Sequence, residues 1–268
     1  MQINEAVWPA TTSSLANDLR TLGVKEGMVL IVHSSLSSLG RWVVGGPVAV
    51  VLALQQALGE KGTLVMPAHN CDLSDPAQWE NPPVPQAWWN MIRDEMPAYD
   101  PQLTPTSGMG MVAECFRKQH GVLRSGHPQV SFAARGPHAA NITSGHSPDH
   151  GLGERSPLAR LYDADGWVLL LGVHHDKNTS LHLAEYRADY PAKKQTVLGA
   201  PIHVDGARAW VHFDDIEYDS DDFVAIGEAF ERECASVTIG QVGGATARLM
   251  PQRALVDYAV RWMERHRT

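Results

Sequence analysis

The run Trp167-Val168-Leu169-Leu170-Leu171-Gly172-Val173 is apolar at every position. A strand with one solvated face alternates in polarity. One that is apolar throughout must be covered on both faces, as in a parallel sheet between helices. Met28-Val29-Leu30-Ile31-Val32 and Thr63-Leu64-Val65-Met66-Pro67 read the same way. Between these two, Gly45-Gly46-Pro47 opens an apolar helix that closes at Leu58-Gly59, with proline at the first helical position and glycine past the end. Residues 28–67 therefore read as a strand–helix–strand unit with a right-handed crossover.

Other elements follow from periodicity. Thr12-Ser13-Ser14 before Leu15, Leu19 and Leu22 predicts a capped helix, ended by Gly23 and Gly27. Helices are expected over Met109–His120, Thr179–Asp189, Asp222–Cys234 and Pro251–Arg267, and a short strand over Ser131–Gly136. Lys194–Glu217 alternates around Asp205-Gly206, the signature of an antiparallel hairpin. His138–Pro157 reads as loop. His69–Pro105 is rich in proline and holds Trp79, Trp88 and Trp89, so it reads as an ordered insertion or lid rather than a linker. The expected fold is α/β: a mixed central sheet with flanking helices, a Pro/Trp-rich insertion at 69–105 and a C-terminal antiparallel β segment, in one domain over 1–268.

Lys plus Arg is 22 and Asp plus Glu is 30, a formal charge of −8. That balance speaks against nucleic acid as a partner and leaves room for a cationic one. The cysteines, Cys71, Cys115 and Cys234, are few and far apart, which points to a reducing, cytoplasmic setting without disulfides. Met1-Gln2-Ile3-Asn4-Glu5 lacks the basic start and apolar core of a signal peptide. The apolar run Pro47–Leu54 is too short to span a bilayer, so no membrane partner is expected.

Two constellations carry chemistry. His33-Ser34-Ser35-Leu36-Ser37-Ser38 follows a buried strand and precedes the helix start at Gly45-Gly46. Ligands bind beyond the carboxyl ends of such strands, and free N–H groups there suit a phosphate. The same loop also reads as a plain serine-rich turn, and it matches neither the P-loop nor the dinucleotide fingerprint. The second is His174-His175-Asp176-Lys177-Asn178-Thr179-Ser180-Leu181-His182-Leu183-Ala184-Glu185, directly after the most apolar strand. His182 and Glu185 are three apart, on one helix face, where the carboxylate would fix the imidazole tautomer as a general base needs. Asn178 and Thr179 read as caps of that helix. His174, His175, Asp176 and His182 read alternatively as metal ligands, although no HExxH spacing is present. Asp72, Asp75 and Glu80 give the tryptophan-rich insertion an acidic, aromatic surface.

These strings resemble the aminoglycoside 3-N-acetyltransferase family, antibiotic acetyltransferases of non-GNAT type. The likeness is carried by Val32–Gly40, Val44-Gly45-Gly46-Pro47, Gly62–Pro67, Thr104–Gly110, Arg124-Ser125-Gly126-His127-Pro128, Leu152–Leu158, Leu170–Val173 with Asn178–Glu185, Gly243-Gly244-Ala245 and Leu255-Val256-Asp257. It runs in order over nearly the whole chain. At His174-His175 the resemblance leads one to expect Gly-His, a small departure.

The resemblance implies acetyl-CoA-dependent acetylation of the 3-amino group of a deoxystreptamine ring, by direct transfer in a ternary complex. It implies that Ser34, Ser35, Leu36, Val44, Gly45, Gly46, Ser107 and Gly108 cradle coenzyme A. It makes His182, oriented by Glu185, the base, with His175 and His33 as rivals and Thr179 or a backbone N–H steadying the oxyanion. Asp72, Asp75, Glu80 and Glu185 would hold the ammonium groups of an aminoglycoside or related polyamine sugar. No metal is expected, no residue demands an acyl-enzyme although Cys71 is a conceivable nucleophile, and the assembly is a monomer or homodimer. Two other readings stand beside this one: a metal-dependent hydrolase using the His174–His182 cluster, and a non-catalytic protein binding coenzyme A or a cationic sugar.

Overall fold

The computed structural model describes residues 8–268, so the Met1–Glu5 opening lies outside the described residues. In chain order the elements are α1 (Thr12–Leu22), β1 (Val29–Ser34), α2 (Gly46–Leu58), β2 (Thr63–Pro67), α3 (Trp89–Glu95), α4 (Gly110–Arg117), β3 (Leu123–Arg124), β4 (Phe132–Arg135), α5 (Ala139–Thr143), α6 (Pro157–Asp163) and β5 (Trp167–Leu171). They continue with α7 (Ser180–Arg187), β6 (Gln195–Val204), β7 (Ala207–Ile216), α8 (Phe223–Glu233), β8 (Thr238–Val242), β9 (Ala245–Pro251) and α9 (Gln252–His266).

Among the described residues the strands form a seven-stranded sheet, ordered β3-β4-β2-β1-β5-β9-β8, and a separate β6–β7 pair. β1 runs parallel to both β2 and β5, with Ile31 opposite Val65 on one side and Val168 on the other. These three strands carry the buried apolar runs read from the sequence. Their flanks are antiparallel: β4 against β2, and β9 against β5. The mixed sheet, its helices and the antiparallel pair bear out the expected fold class.

Two apolar layers explain the runs. On β1, Leu30 and Val32 enter one cluster with Leu15, Leu54 and Phe116, under α1, α2 and α4. Val29 and Ile31 enter the other with Leu181, Phe230 and Leu255, under α7, α8 and α9. Alternate residues of one strand thus feed opposite layers.

Local chemistry sets the ends. Thr11, not Thr12, caps α1: its Oγ1 accepts from Ser14 N–H at 3.1 Å while Ser14 Oγ accepts from Thr11 N–H at 2.9 Å. Asp205 (φ 50°) and Gly206 (φ 79°) turn the β6–β7 hairpin as a type I′ pair. The segment 138–157 is not all loop, because α5 lies within it. The insertion packs on the hairpin: Tyr99 N–H donates to Pro201 O at 2.9 Å, and Arg208 Nε to Met96 O at 2.9 Å. No helix among the described residues is long and apolar enough to cross a membrane.

Candidate active site

The site forms at the carboxyl ends of β1 and β5, where the chain leaves a parallel pair in two polar loops. A cavity of about 840 Å³ opens there. Ser34, Ser35 and Leu36 line one wall, Met109 and Gly110 another, and Gly172, Val173, Lys177 and Thr179 a third. The walls meet closely where Ser35 N–H donates to Leu171 O at 3.0 Å. Gly172 has φ +69°, and a Cβ there would lie 2.7 Å from Ser38 Cβ, so only glycine lets the two loops touch.

Of the residues assigned to coenzyme A, Ser34, Ser35, Leu36, Gly46 and Gly108 line this cavity, whereas Val44, Gly45 and Ser107 stand outside its lining. Two cations not singled out from the sequence, Arg41 and Lys177, do line it, as does Trp42. α2 starts beside it at Gly46 with no side chain capping its first N–H groups. At that helix start Gly46 N–H already donates to Val43 O and Pro47 has none, so the positive end of α2 acts through its dipole and Val48 N–H; with serine hydroxyls and two cations it suits phosphates, and Leu36, Met109 and Val173 suit an extended apolar arm. The residues present therefore fit a coenzyme A molecule. Arg41 is adjacent to the serine loop and Lys177 lies within the histidine cluster, so position alone was the available signal.

His182, on α7, carries the acid–base geometry. Its Nδ1 lies 2.5 Å from Glu185 Oε2. Glu185 is fully buried, and its Oε1 accepts from Asp219 N–H at 3.0 Å and from Arg267 Nη1 at 2.8 Å. The imidazole packs edge-on to Phe223 and tilted over Tyr218, with ring centroids 4.8 and 5.0 Å away. With Nδ1–H donating to the carboxylate, Nε2 is the ring's free acceptor. His182 is not a lining residue of the cavity; Thr179, which is, accepts the His182 backbone N–H at 3.0 Å. Thr179 stands at the cap position of α7, but its side chain caps nothing and so remains available. Asn178 instead turns its amide toward His175, 3.4 Å from Nδ1.

The rival histidines sit differently. His33 lines the cavity, and burial together with the nearby His182 lowers its pKa to about 3. His69 is held well below the usual value, first by burial and then by its closeness to the His182 and His33 imidazoles. His175 is fully buried away from the cavity lining, its Nε2 2.8 Å from Glu231 Oε1, and burial lowers its pKa. His174 lies 3.9 Å from Glu228. The His174–His182 cluster thus divides among three carboxylate partners, and among the described residues no three His, Cys, Asp or Glu side chains gather as metal ligands.

The insertion carboxylates also diverge. Asp75 pairs with Arg93 Nη2 at 2.7 Å, whereas Asp72 and Glu80 are exposed. Cys71 is a free thiol whose pKa is pushed up by burial and by Asp72.

A mixed α/β sheet, with a phosphate-suited cavity at its parallel strand ends and a partly exposed histidine held by a buried glutamate, has the groups an acyl-transfer enzyme using coenzyme A needs. The sequence profile of the aminoglycoside 3-N-acetyltransferase family matches residues 31–264, and the chain belongs to that family. The resemblance read from the motifs is thereby borne out, and acetyl-CoA is the family's co-substrate. The chain is 46% identical to the SPbeta prophage-derived aminoglycoside N(3')-acetyltransferase-like protein YokD of Bacillus subtilis, over 97% of this chain and 94% of that protein. The crystal structure of YokD superposes with a TM-score of 0.94, covering 98% of this chain and 96% of that one. Aminoglycoside N(3)-acetyltransferase VII of Streptomyces paromomycinus is 40% identical over 96% of this chain and 92% of its own. The structure of AAC-IIIb, binary with CoASH, is 33% identical with a TM-score of 0.86, covering 96% of this chain and 97% of that one.

Proposed function

We propose that this protein transfers an acetyl group from acetyl-CoA to the 3-amino group of a deoxystreptamine ring, directly and within a ternary complex, with His182 as general base. The observation that carries the reading is the 2.5 Å contact between His182 Nδ1 and a Glu185 carboxylate that is anchored on its other oxygen. An ammonium has no lone pair with which to attack a thioester, so a proton must leave before or during attack. His182 Nε2 takes it, and Glu185 stabilises the imidazolium that results; as the C–N bond forms and the C–S bond breaks, that proton passes to the departing coenzyme A thiolate, and the other surplus proton of the ammonium goes to solvent. Bound acetyl-CoA supplies the activated acyl group. Ser34, Ser35, Leu36, Gly46 and Gly108, with Arg41 and Lys177, hold its phosphates and arm, and Val44, Gly45 and Ser107 border that cradle. Thr179 Oγ1 or a neighbouring N–H steadies the oxyanion.

His33 serves this step poorly, because a base of pKa about 3 has little proton affinity at neutral pH. His175 is enclosed by Glu231 and Asn178. Cys71, with its raised pKa, is a weak nucleophile, which favours direct transfer over an acyl-enzyme. The 69–105 insertion acts as the lid of one domain spanning 1–268, and its exposed Asp72 and Glu80 attract the polycationic substrate, whereas Asp75 is matched by Arg93 and the buried Glu185 by Arg267, so these two serve the substrate only by holding the lid and His182 in place. Free cysteines throughout support a cytoplasmic setting.

Initial velocities with acetyl-CoA and an aminoglycoside bearing a free 3-amino group test this reading. Intersecting double-reciprocal lines are expected, and His182→Ala should lower kcat by about 10²- to 10⁴-fold. Parallel lines would indicate an acyl-enzyme, and a nearly unchanged His182→Ala rate would remove His182 as the base.

A further inference from the structure

Arg267 follows α9, 82 residues from Glu185 along the chain, and is 9% exposed. Its Nη1 donates to Glu185 Oε1 at 2.8 Å and to Tyr190 Oη at 3.1 Å. Nε and Nη2 donate to the two Asp222 oxygens at 2.8 and 2.6 Å, and Nη2 also to Asp219 O at 2.7 Å. The fork is therefore held on four sides, and only one of its contacts is with the acid–base pair. A lysine cannot reproduce that set, since its ammonium is a point charge.

Glu185 has no exposed surface, and a buried carboxylate without a cation relieves its desolvation by binding a proton more tightly. The other groups facing the pair do not supply that cation. His33 and His69 are kept neutral by burial. Tyr218 lies over the His182 ring with its hydroxyl on Asp215, and its ionisation is suppressed. Tyr190 and Asp222 meet Arg267 rather than the dyad. Lys193 interacts with Glu185 only through space, its ammonium donating to Tyr186 O at 3.2 Å. Among the described residues, Arg267 is the cation in hydrogen-bond contact with the His182–Glu185 pair.

We propose that Arg267 is a positioning residue for acetyl transfer: it aims the Glu185 carboxylate at His182 Nδ1 and offsets its charge, so that His182 is oriented with Nε2 left as the proton acceptor. This rests on His182 being the base. Removing the positive charge strengthens the dyad's hold on a proton whether His182 or Glu185 carries it, so the sign of the effect is fixed.

The test is the pH dependence of kcat/KM, with thermal melting alongside, for wild type, Arg267→Gln, Arg267→Lys and His182→Ala. Arg267→Gln should move the acid limb up by about one pH unit and lower kcat. Arg267→Lys should leave the limb in place and lower kcat several-fold, because the fork to Asp222 and Asp219 is lost. An Arg267→Gln enzyme that melts earlier with its limb unmoved would overturn the proposal, leaving Arg267 only a structural clamp. If that variant does not fold, Arg267→Lys decides: a wild-type kcat overturns the proposal, and a lowered kcat with an unmoved limb supports it. A His182→Ala enzyme of near wild-type rate would instead remove the underlying reading, which no Arg267 result imitates.

Discussion

Gly227 on α8 lies directly against the His175 ring: a Cβ built on it would stand 1.9 Å from the imidazole. His175 is fully buried there, and Glu231, which accepts its Nε2–H at 2.8 Å, also takes Arg248 Nε at 2.7 Å. The histidine wedges the turn after β5 against α8. Gly227→Ala should force the helix off the ring and cost about 1–3 kcal/mol, as overpacking does, with kcat per folded molecule nearly kept. Thermal melting checks this, and an unchanged Tm would mean that α8 slides away without loss.

The buried histidines make the fold acid-sensitive. Burial lowers His33 and His146 to about 3 and His127 to about 4, against an ordinary 6.5. The unfolded chain therefore binds protons first as pH falls. The stability these groups contribute is complete above pH 6.5 and declines as pH drops toward 3. At pH 5 the loss is on the order of 2 kcal/mol for each. His146 Nδ1 lies 2.9 Å from Ser125 Oγ, and its Nε2 is 2.6 Å from Gly151 O. His146→Gln should flatten the slope of stability against pH between 7 and 5, measured by urea unfolding. An identical slope would mean that His146 titrates alike in both states.

How far this was legible in the sequence depends on whether a signal is local. The three apolar strands, α2 with its terminal glycines, and the Asp205-Gly206 turn were readable because each is fixed by residues next to one another. β8 and β9 were missed. β8 shows no clean period, since Ile239 is 52% exposed on an edge strand; β9 does alternate, with Ala245, Ala247 and Leu249 buried and Thr246 and Arg248 between them, but the pattern is short and two of its three buried residues are alanines, which favour strands weakly. α6 carried a usable sign that was passed over, Ser156 accepting from Leu158 N–H with Pro157 at the first turn. In the site, the three-residue spacing of His182 and Glu185 was readable. The anchoring of Glu185 by Arg267 depends on α9 packing beside α7, which no local pattern records.

Arg41 and Lys177 flank the cavity as exposed cations, and Lys177 is 3.1 Å from Asp176. Their contribution to holding phosphates is screened by water, so each charge is worth about 1 kcal/mol or less. Arg41→Ala and Lys177→Ala should each raise KM for acetyl-CoA about three- to fivefold at low salt, with kcat little changed. The difference from wild type should shrink at high salt. A KM effect indifferent to salt would point to lost shape rather than lost charge.

Asp75 and Asp72 should respond oppositely to neutralisation. Asp75 caps a turn through Ala77 N–H at 2.9 Å and takes Arg93 Nη2 at 2.7 Å, and Arg93 in turn lies over the Trp89 ring, 5.8 Å from its centroid. Partial burial works against ionisation of Asp75, but Arg93 and the turn N–H outweigh it and hold the carboxyl below the usual range. That charge is already matched inside the insertion. Asp72 and Glu80 are exposed on the same segment and can meet the ammonium groups of a substrate. Asp72→Asn and Glu80→Gln should raise KM for the aminoglycoside a few-fold and leave KM for acetyl-CoA alone, the modest size expected of exposed charges. Asp75→Asn should instead loosen α3, seen as faster limited proteolysis between residues 79 and 95, with both KM values changing together. If Asp75→Asn raised only the aminoglycoside KM at an unchanged proteolysis rate, Asp75 would be meeting the substrate rather than holding the insertion.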